Sequence, residues 1–167
     1  MMERGAWILA GGQSTRFGSD KALHPLGEET LLGRTARVCA QAGLEVTVVA
    51  RYVRPGGLAT LVEAEGPRHP LHGVAAALGA AAARGQPDAL LVPCDLPALG
   101  PAQIEQLCRH AAPCYASSVR LLCLLPSNAA ALASELAASG QSVGAFLTSL
   151  NAESVDVGPL VNLNLPA

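Results

Sequence analysis

The chain has 167 residues and a formal charge of −2; 50% of it is hydrophobic and only 14% is charged. That balance excludes a broad basic face for nucleic acid, and the aromatic side chains (Trp7, Phe17, Tyr52, Tyr115 and Phe146) are too few for base-stacking platforms. The length is ample for a core of Ala, Leu and Val. No apolar stretch nears the roughly 18 residues of a membrane span. The 5 cysteines hold no Cys-x-x-Cys pair, and with no signal-like start they read as reduced thiols of a cytoplasmic protein.

Residues 6–10 are an apolar run that breaks at Gly11 and Gly12 into a polar loop carrying Arg16 and Lys21. This reads as a buried strand emptying into a tight turn, whose glycines admit positive φ and let a ligand reach the backbone N–H groups. Successive N–H groups make an anion nest, and two nearby cations complete a polyphosphate site. The spacing is not that of a Walker loop: five residues separate Gly12 from Gly18, and Ser19 follows. No Gly-x-Gly-x-x-Gly dinucleotide fingerprint is present either. Lys21 is the only lysine among 11 basic residues. A compact ammonium and a planar guanidinium do not substitute freely at a phosphate, so position 21 is expected to need lysine.

Residues 22–27 read as a short extended excursion turning at Pro25 and Gly27. Thr30 is placed to cap a helix running to about residue 42, with Leu31, Leu32, Thr35, Val38, Cys39 and Ala42 on one face and Gly43 at its end. A second strand follows at 45–50, β-branched and almost wholly apolar, as a parallel strand covered on both faces should be. After a loop, 58–62 reads as a short strand or a turn of helix, and an irregular polar loop runs from Glu63 to Pro70. An alanine-rich helix is predicted over 73–84, closed by Gly85 and Pro87. The next strand, 89–93, empties into Cys94-Asp95-Leu96-Pro97, and Pro101 opens a helix reaching about 110. Strands at 114–117 and 121–125, helices at 129–139 and 143–150, and an alternating strand at 153–157 complete the pattern. This alternation predicts one α/β domain over 1–167, a three-layer α/β/α sandwich with a mainly parallel, Rossmann-like sheet.

In such a sheet, ligands bind beyond the carboxyl ends of the strands. Both the glycine loop and the Pro93–Pro97 turn leave strand ends. Asp95, one of only four aspartates, is framed by two prolines and faces a cationic loop. It is suited to hold Mg²⁺, which takes one or two carboxylates plus phosphate oxygens; an aspartate so placed also caps turns. His69 and His72 have no third ligand at suitable spacing and read as solvated or substrate-rim residues. Cys94 has no basic neighbour in sequence and reads as packing.

The motif Leu9-Ala-Gly-Gly-x-Ser-x-Arg16-x-Gly18-x-Asp20-Lys21-Ala-Leu, with Pro93-Cys-Asp95-x-Pro97 far downstream, resembles the molybdenum cofactor guanylyltransferases. These belong to the Rossmann-like nucleotidyltransferases. Pro70-Leu-x-Gly73 and Val161-Asn162-x-Asn164-x-Pro166 resemble two further segments of that family. The resemblance implies a Mg²⁺-dependent transfer of GMP from GTP to the terminal phosphate of molybdopterin, with release of pyrophosphate. It implies that Leu9, Ala10 and Gly11 contact the nucleotide, that Lys21 binds its phosphates, and that Asp95 binds Mg²⁺; Arg16 and the Gly11–Gly12 amides are expected to carry the pyrophosphate beside Lys21. Glu63 stands near the family's nucleotide-binding aspartate, and Asn162 and Asn164 fall on the acceptor side. Partners would be GTP, molybdopterin and, transiently, other cofactor-biosynthesis proteins, with no nucleic acid or membrane. Related cytidylyltransferases carry alanine where Gly11 stands, and the missing methyl is expected to leave room for a purine. Departures from the family are Ala50 for an asparagine, the reduced Ser118-Val119-Arg120 turn, and Leu165 for a threonine. Alternatives are a cytidylyl- or other nucleotidyltransferase, or a GTP-binding regulatory protein of the same fold.

Overall fold

The computed structural model describes residues 4–11, 21–53, 57–64 and 66–161. Among them, β1 (Gly5–Leu9), β4 (Glu45–Ala50), β5 (Thr60–Val62), β6 (Asp88–Pro93), β7 (Cys114–Ala116), β8 (Val119–Pro126) and β9 (Glu153–Val155) form one sheet. Its order is β5-β4-β1-β6-β8-β7-β9. Every neighbouring pair runs parallel except the two made by β8, which is antiparallel to β6 and to β7. Five helices cover it: α1 (Leu31–Gln41), α2 (Pro70–Ala83), α3 (Pro101–Cys108), α4 (Ala130–Ala138) and α5 (Val143–Ser149). The expected α/β/α sandwich is observed.

The central strands are apolar on both faces because helices cover both. Along β1, Ala6 and Ile8 join a cluster with Leu32 and Ala36 of α1 and with Ile104 and Leu107 of α3. Trp7, between them, points the other way, into a cluster with Leu71, Val74 and Leu78 of α2, Ala133 of α4 and Phe146 of α5. Period-2 alternation thus feeds two cores from one strand.

Local signals set most boundaries. The Gly33 N–H donates to Thr30 Oγ1 at 3.0 Å, the expected cap of α1, and Gly43 ends that segment at φ +83°. A turn of 3₁₀ helix, Lys21–Leu23, leads into a small hairpin of β2 (Pro25–Leu26) and β3 (Glu29–Thr30). The ambiguous segment at 58–62 is a strand, paired with Val48–Ala50 of β4. One boundary moves: α2 begins at Pro70, three residues before its predicted start. His69 explains this, because its Nδ1 accepts from the Leu71 N–H at 3.1 Å, a role usually taken by Ser, Thr, Asp or Asn. Pro70 then supplies a preset helical φ at the first position.

All five cysteines are free, as expected. Burial pushes the Cys39 thiol up to about 12 and Cys114 up to about 11, and raises Cys123 as well. Burial also raises the half-buried Cys108, with the Arg4 guanidinium working against it. The thiolate is the reactive form, so iodoacetamide at pH 8 is expected to leave Cys39, Cys114 and Cys123 of the native protein unmodified. Peptide mass spectrometry checks this against guanidinium-unfolded chain, in which all should react. Native labelling of Cys123 as fast as Cys108 would contradict the packing.

Candidate active site

Strand register builds the site. Leu9 of β1 lies opposite both Val49 of β4 and Pro93 of β6, and Ala50 lies opposite Val62 of β5. Four parallel strands therefore end almost level, and the residues that follow them share one edge: Ala10 and Gly11, Arg51, Glu63, and Cys94 and Asp95. Backbone bonds carry the pairing into this edge, from the Ala10 N–H to the Val49 carbonyl at 2.9 Å and from the Glu63 N–H to the Ala50 carbonyl at 2.8 Å. From β1 the chain passes to β4 and β5 on one side, then returns to β6 on the other. The switch point lies between β1 and β6, where ligands enter open α/β sheets.

A cleft of about 870 Å³ opens there, within the range of small-molecule sites. One flank carries Leu9, Gly11, Arg51, Glu63 and Gly73; the other carries Ser117 and Ser118 from the turn between β7 and β8, and Val119 and Arg120 from the start of β8. Asp95, partly buried at the end of β6, stands between them. The sequence-predicted Leu9, Ala10, Gly11, Glu63 and Asp95 are thus brought together, and Ala22, beside Lys21, joins them. Gly12, Arg16, Asn162, Asn164 and the side chain of Lys21 lie outside the described residues. His69 lines the cleft, besides capping α2, whereas His72 is not among its lining residues.

Gly11 departs from expectation in an informative way. Its φ is not in the left-handed region, so backbone freedom is not what requires glycine here. A Cβ on Gly11 would run into Glu63 Oε2. The other carboxylate oxygen, Oε1, lies 3.3 Å from where a Cβ on Gly73 would sit. The missing methyl therefore leaves no open room for a base. It makes a seat for the Glu63 carboxylate, held between two glycines that come from different elements.

Sequence reasoning missed three arginines of the cleft, Arg51, Arg68 and Arg120. Arg51 Nη1 donates to the Gly66 carbonyl at 3.0 Å, and Arg68 Nη1 donates to the Gly11 carbonyl at 3.2 Å, tying the polar loop to the start of the glycine loop. The available signal was position: Arg51 directly follows a strand predicted to end at the ligand edge. Among the described residues, no group of three or more His, Cys, Asp or Glu side chains is arranged to hold a metal. Asp95 offers one carboxylate, the hard oxygen donor type Mg²⁺ uses when substrate phosphates complete its shell. No helix of the described residues is long and apolar enough to cross a membrane.

A mainly parallel sheet with a mixed-charge cleft at its switch point defines the chain as an α/β protein of Rossmann-like type. Residues 6–152 match the family described as "MobA-like NTP transferase domain", and the chain belongs to that family. It is 40% identical over 106 residues to a protein of Opitutus terrae named "Probable molybdenum cofactor guanylyltransferase", covering 61% of this chain and 52% of that one. A protein of the same name from Pelotomaculum thermopropionicum is 36% identical over 105 residues, covering 60% and 49%. The chain thus spans about half the length of the curated relatives it matches. Among solved structures, it is similar to molybdopterin-guanine dinucleotide biosynthesis protein A from Archaeoglobus fulgidus, with a TM-score of 0.72 at 17% identity, covering 92% of this chain and 83% of that one. It is also similar to 2-C-methyl-D-erythritol 4-phosphate cytidylyltransferase from Thermus thermophilus, with a TM-score of 0.69 at 16% identity, covering 99% and 94%. At those identities the likeness carries the fold alone.

Proposed function

We propose that this chain, a single nucleotidyltransferase domain, transfers GMP from GTP to the terminal phosphate of molybdopterin and releases pyrophosphate, working in the cytoplasm. The observation that carries this reading is the placement of Asp95 between two flanks of one cleft. One flank suits a nucleotide, and the other leaves space for an acceptor. The family to which the chain belongs supports the reaction class.

A phosphate monoester is largely a dianion at neutral pH, its second pKa being about 6, so it attacks without a general base. One acceptor oxygen forms a bond to the α-phosphorus of GTP while the bond from that phosphorus to the bridging oxygen breaks, and the electron pair leaves with pyrophosphate. The protein's work is alignment and charge stabilisation. In this reading the backbone at Leu9, Ala10 and Gly11 holds the nucleoside. The seated Glu63 carboxylate accepts from the guanine N1–H and 2-amino group, two adjacent donors that neither adenine nor cytosine presents. Gly12, Arg16 and Lys21 take the phosphates, while Asn162 and Asn164 bind the acceptor. Asp95 would hold Mg²⁺, which when bound would supply neutralisation of phosphate charge.

Titration calorimetry of GTP, CTP and ATP in the presence of Mg²⁺ tests the nucleotide half. Hydrogen bonds to a charged group are worth about 1.5–3 kcal/mol each, so GTP is expected to bind at least about tenfold tighter than either competitor. A preference for CTP would move the chain to the cytidylyltransferases, whose fold it also shares. GTP binding without pyrophosphate release in any acceptor assay would mark a regulatory protein.

A further inference from the structure

The acceptor flank of the cleft is built by Ser117, Ser118, Val119, Arg120, Leu121 and Val143. Arg120 is the one ionisable side chain among these six. Its position is fixed by the short turn that precedes it, because the Ser117 N–H donates to the Val155 carbonyl at 2.9 Å and Ser118 Oγ donates to the Gly158 carbonyl at 3.1 Å. The Arg120 side chain passes over Gly144, where a Cβ would stand 3.1 Å from Nη1 and 3.5 Å from Cζ. The missing methyl gives the guanidinium its place. Arg51 and Arg68 each donate to a backbone carbonyl, whereas the exposed Arg120 guanidinium has no hydrogen-bond or ion-pair partner among the described residues.

An anion arriving at this cleft faces two carboxylates, Glu63 and Asp95. On the acceptor side the cation that can offset them among the lining residues is Arg120. A planar guanidinium with free donors matches a phosphate bidentately, which an ammonium does not. We propose that Arg120 binds the phosphate monoester of the acceptor and orients it toward Asp95 and the α-phosphorus. This rests on the transfer reaction proposed above and assigns its acceptor site.

The test measures pyrophosphate release from GTP and molybdopterin, with Mg²⁺, by wild type, Arg120→Ala and Arg120→Lys, beside the calorimetric GTP dissociation constant of each. Arg120→Ala should raise KM for the acceptor by about tenfold or more, and Arg120→Lys should recover part of that. The GTP dissociation constant should stay within about twofold, since Arg120 lies on the opposite flank. An unchanged acceptor KM in Arg120→Ala, or an equal loss of GTP binding, would overturn this inference and leave the transfer reaction standing. Wild-type protein that releases no pyrophosphate with this acceptor would overturn the functional reading and this inference with it.

Discussion

Asp95→Ala is expected to lower turnover by about 10²-fold or more, the usual cost of deleting one group that stabilises transition-state charge. Asp95 is the carboxylate that links the two flanks, and it leaves β6 directly beside the end of β1. Its partly buried position outside the strand makes fold loss a poor explanation for such an effect. Thermal unfolding followed by circular dichroism should therefore stay close to wild type while pyrophosphate release collapses. Lys21→Ala is expected to show a loss of similar size, with weaker GTP binding. Near-normal turnover in either variant would remove that residue from the mechanism.

Gly11→Ala should separate folding from recognition. The new methyl would occupy the place of Glu63 Oε2, but that oxygen ends a flexible side chain that can swing away. The folding cost is therefore expected to be small, below the roughly 1–3 kcal/mol of overpacking a rigid core. Nucleotide selectivity should suffer far more, because the displaced carboxylate no longer meets the guanine edge. GTP affinity should fall by about tenfold or more, toward that for CTP. In a double-mutant cycle, Gly11→Ala on a Glu63→Ala background should cost little further affinity, since both changes remove the same group. Full retention of GTP selectivity by Gly11→Ala would show that the seat does not read the base.

How legible each part was depended on how local its cause is. β1, β4 and β6 are largely apolar because helices cover both faces, and α1 is marked by the Thr30 side-chain oxygen at its start and the positive φ of Gly43 at its end. The start of α2 was hidden because its cap is a histidine in a proline-rich loop. The reversal of β8 was hidden too, since strand order is decided by packing between distant segments. In the site, Gly11 and Asp95 could be found because each follows an apolar strand. The physical reason for Gly11 could not, because it lies in Glu63, which reaches it only through the pairing of β4 with β5 and of β1 with β4. Arg51, Arg68 and Arg120 carry no shared spacing, and only the sheet order gathers them at one cleft.

The most direct measurement follows α-labelled GTP with molybdopterin and Mg²⁺ in the presence of the wild-type protein. Label passing to the pterin in equal amount with the pyrophosphate released is the expected result, and both should disappear with Asp95→Ala. Label that stays in GTP, or reaches the pterin only from CTP, would contradict the assignment of this cleft as a guanylyl-transfer site.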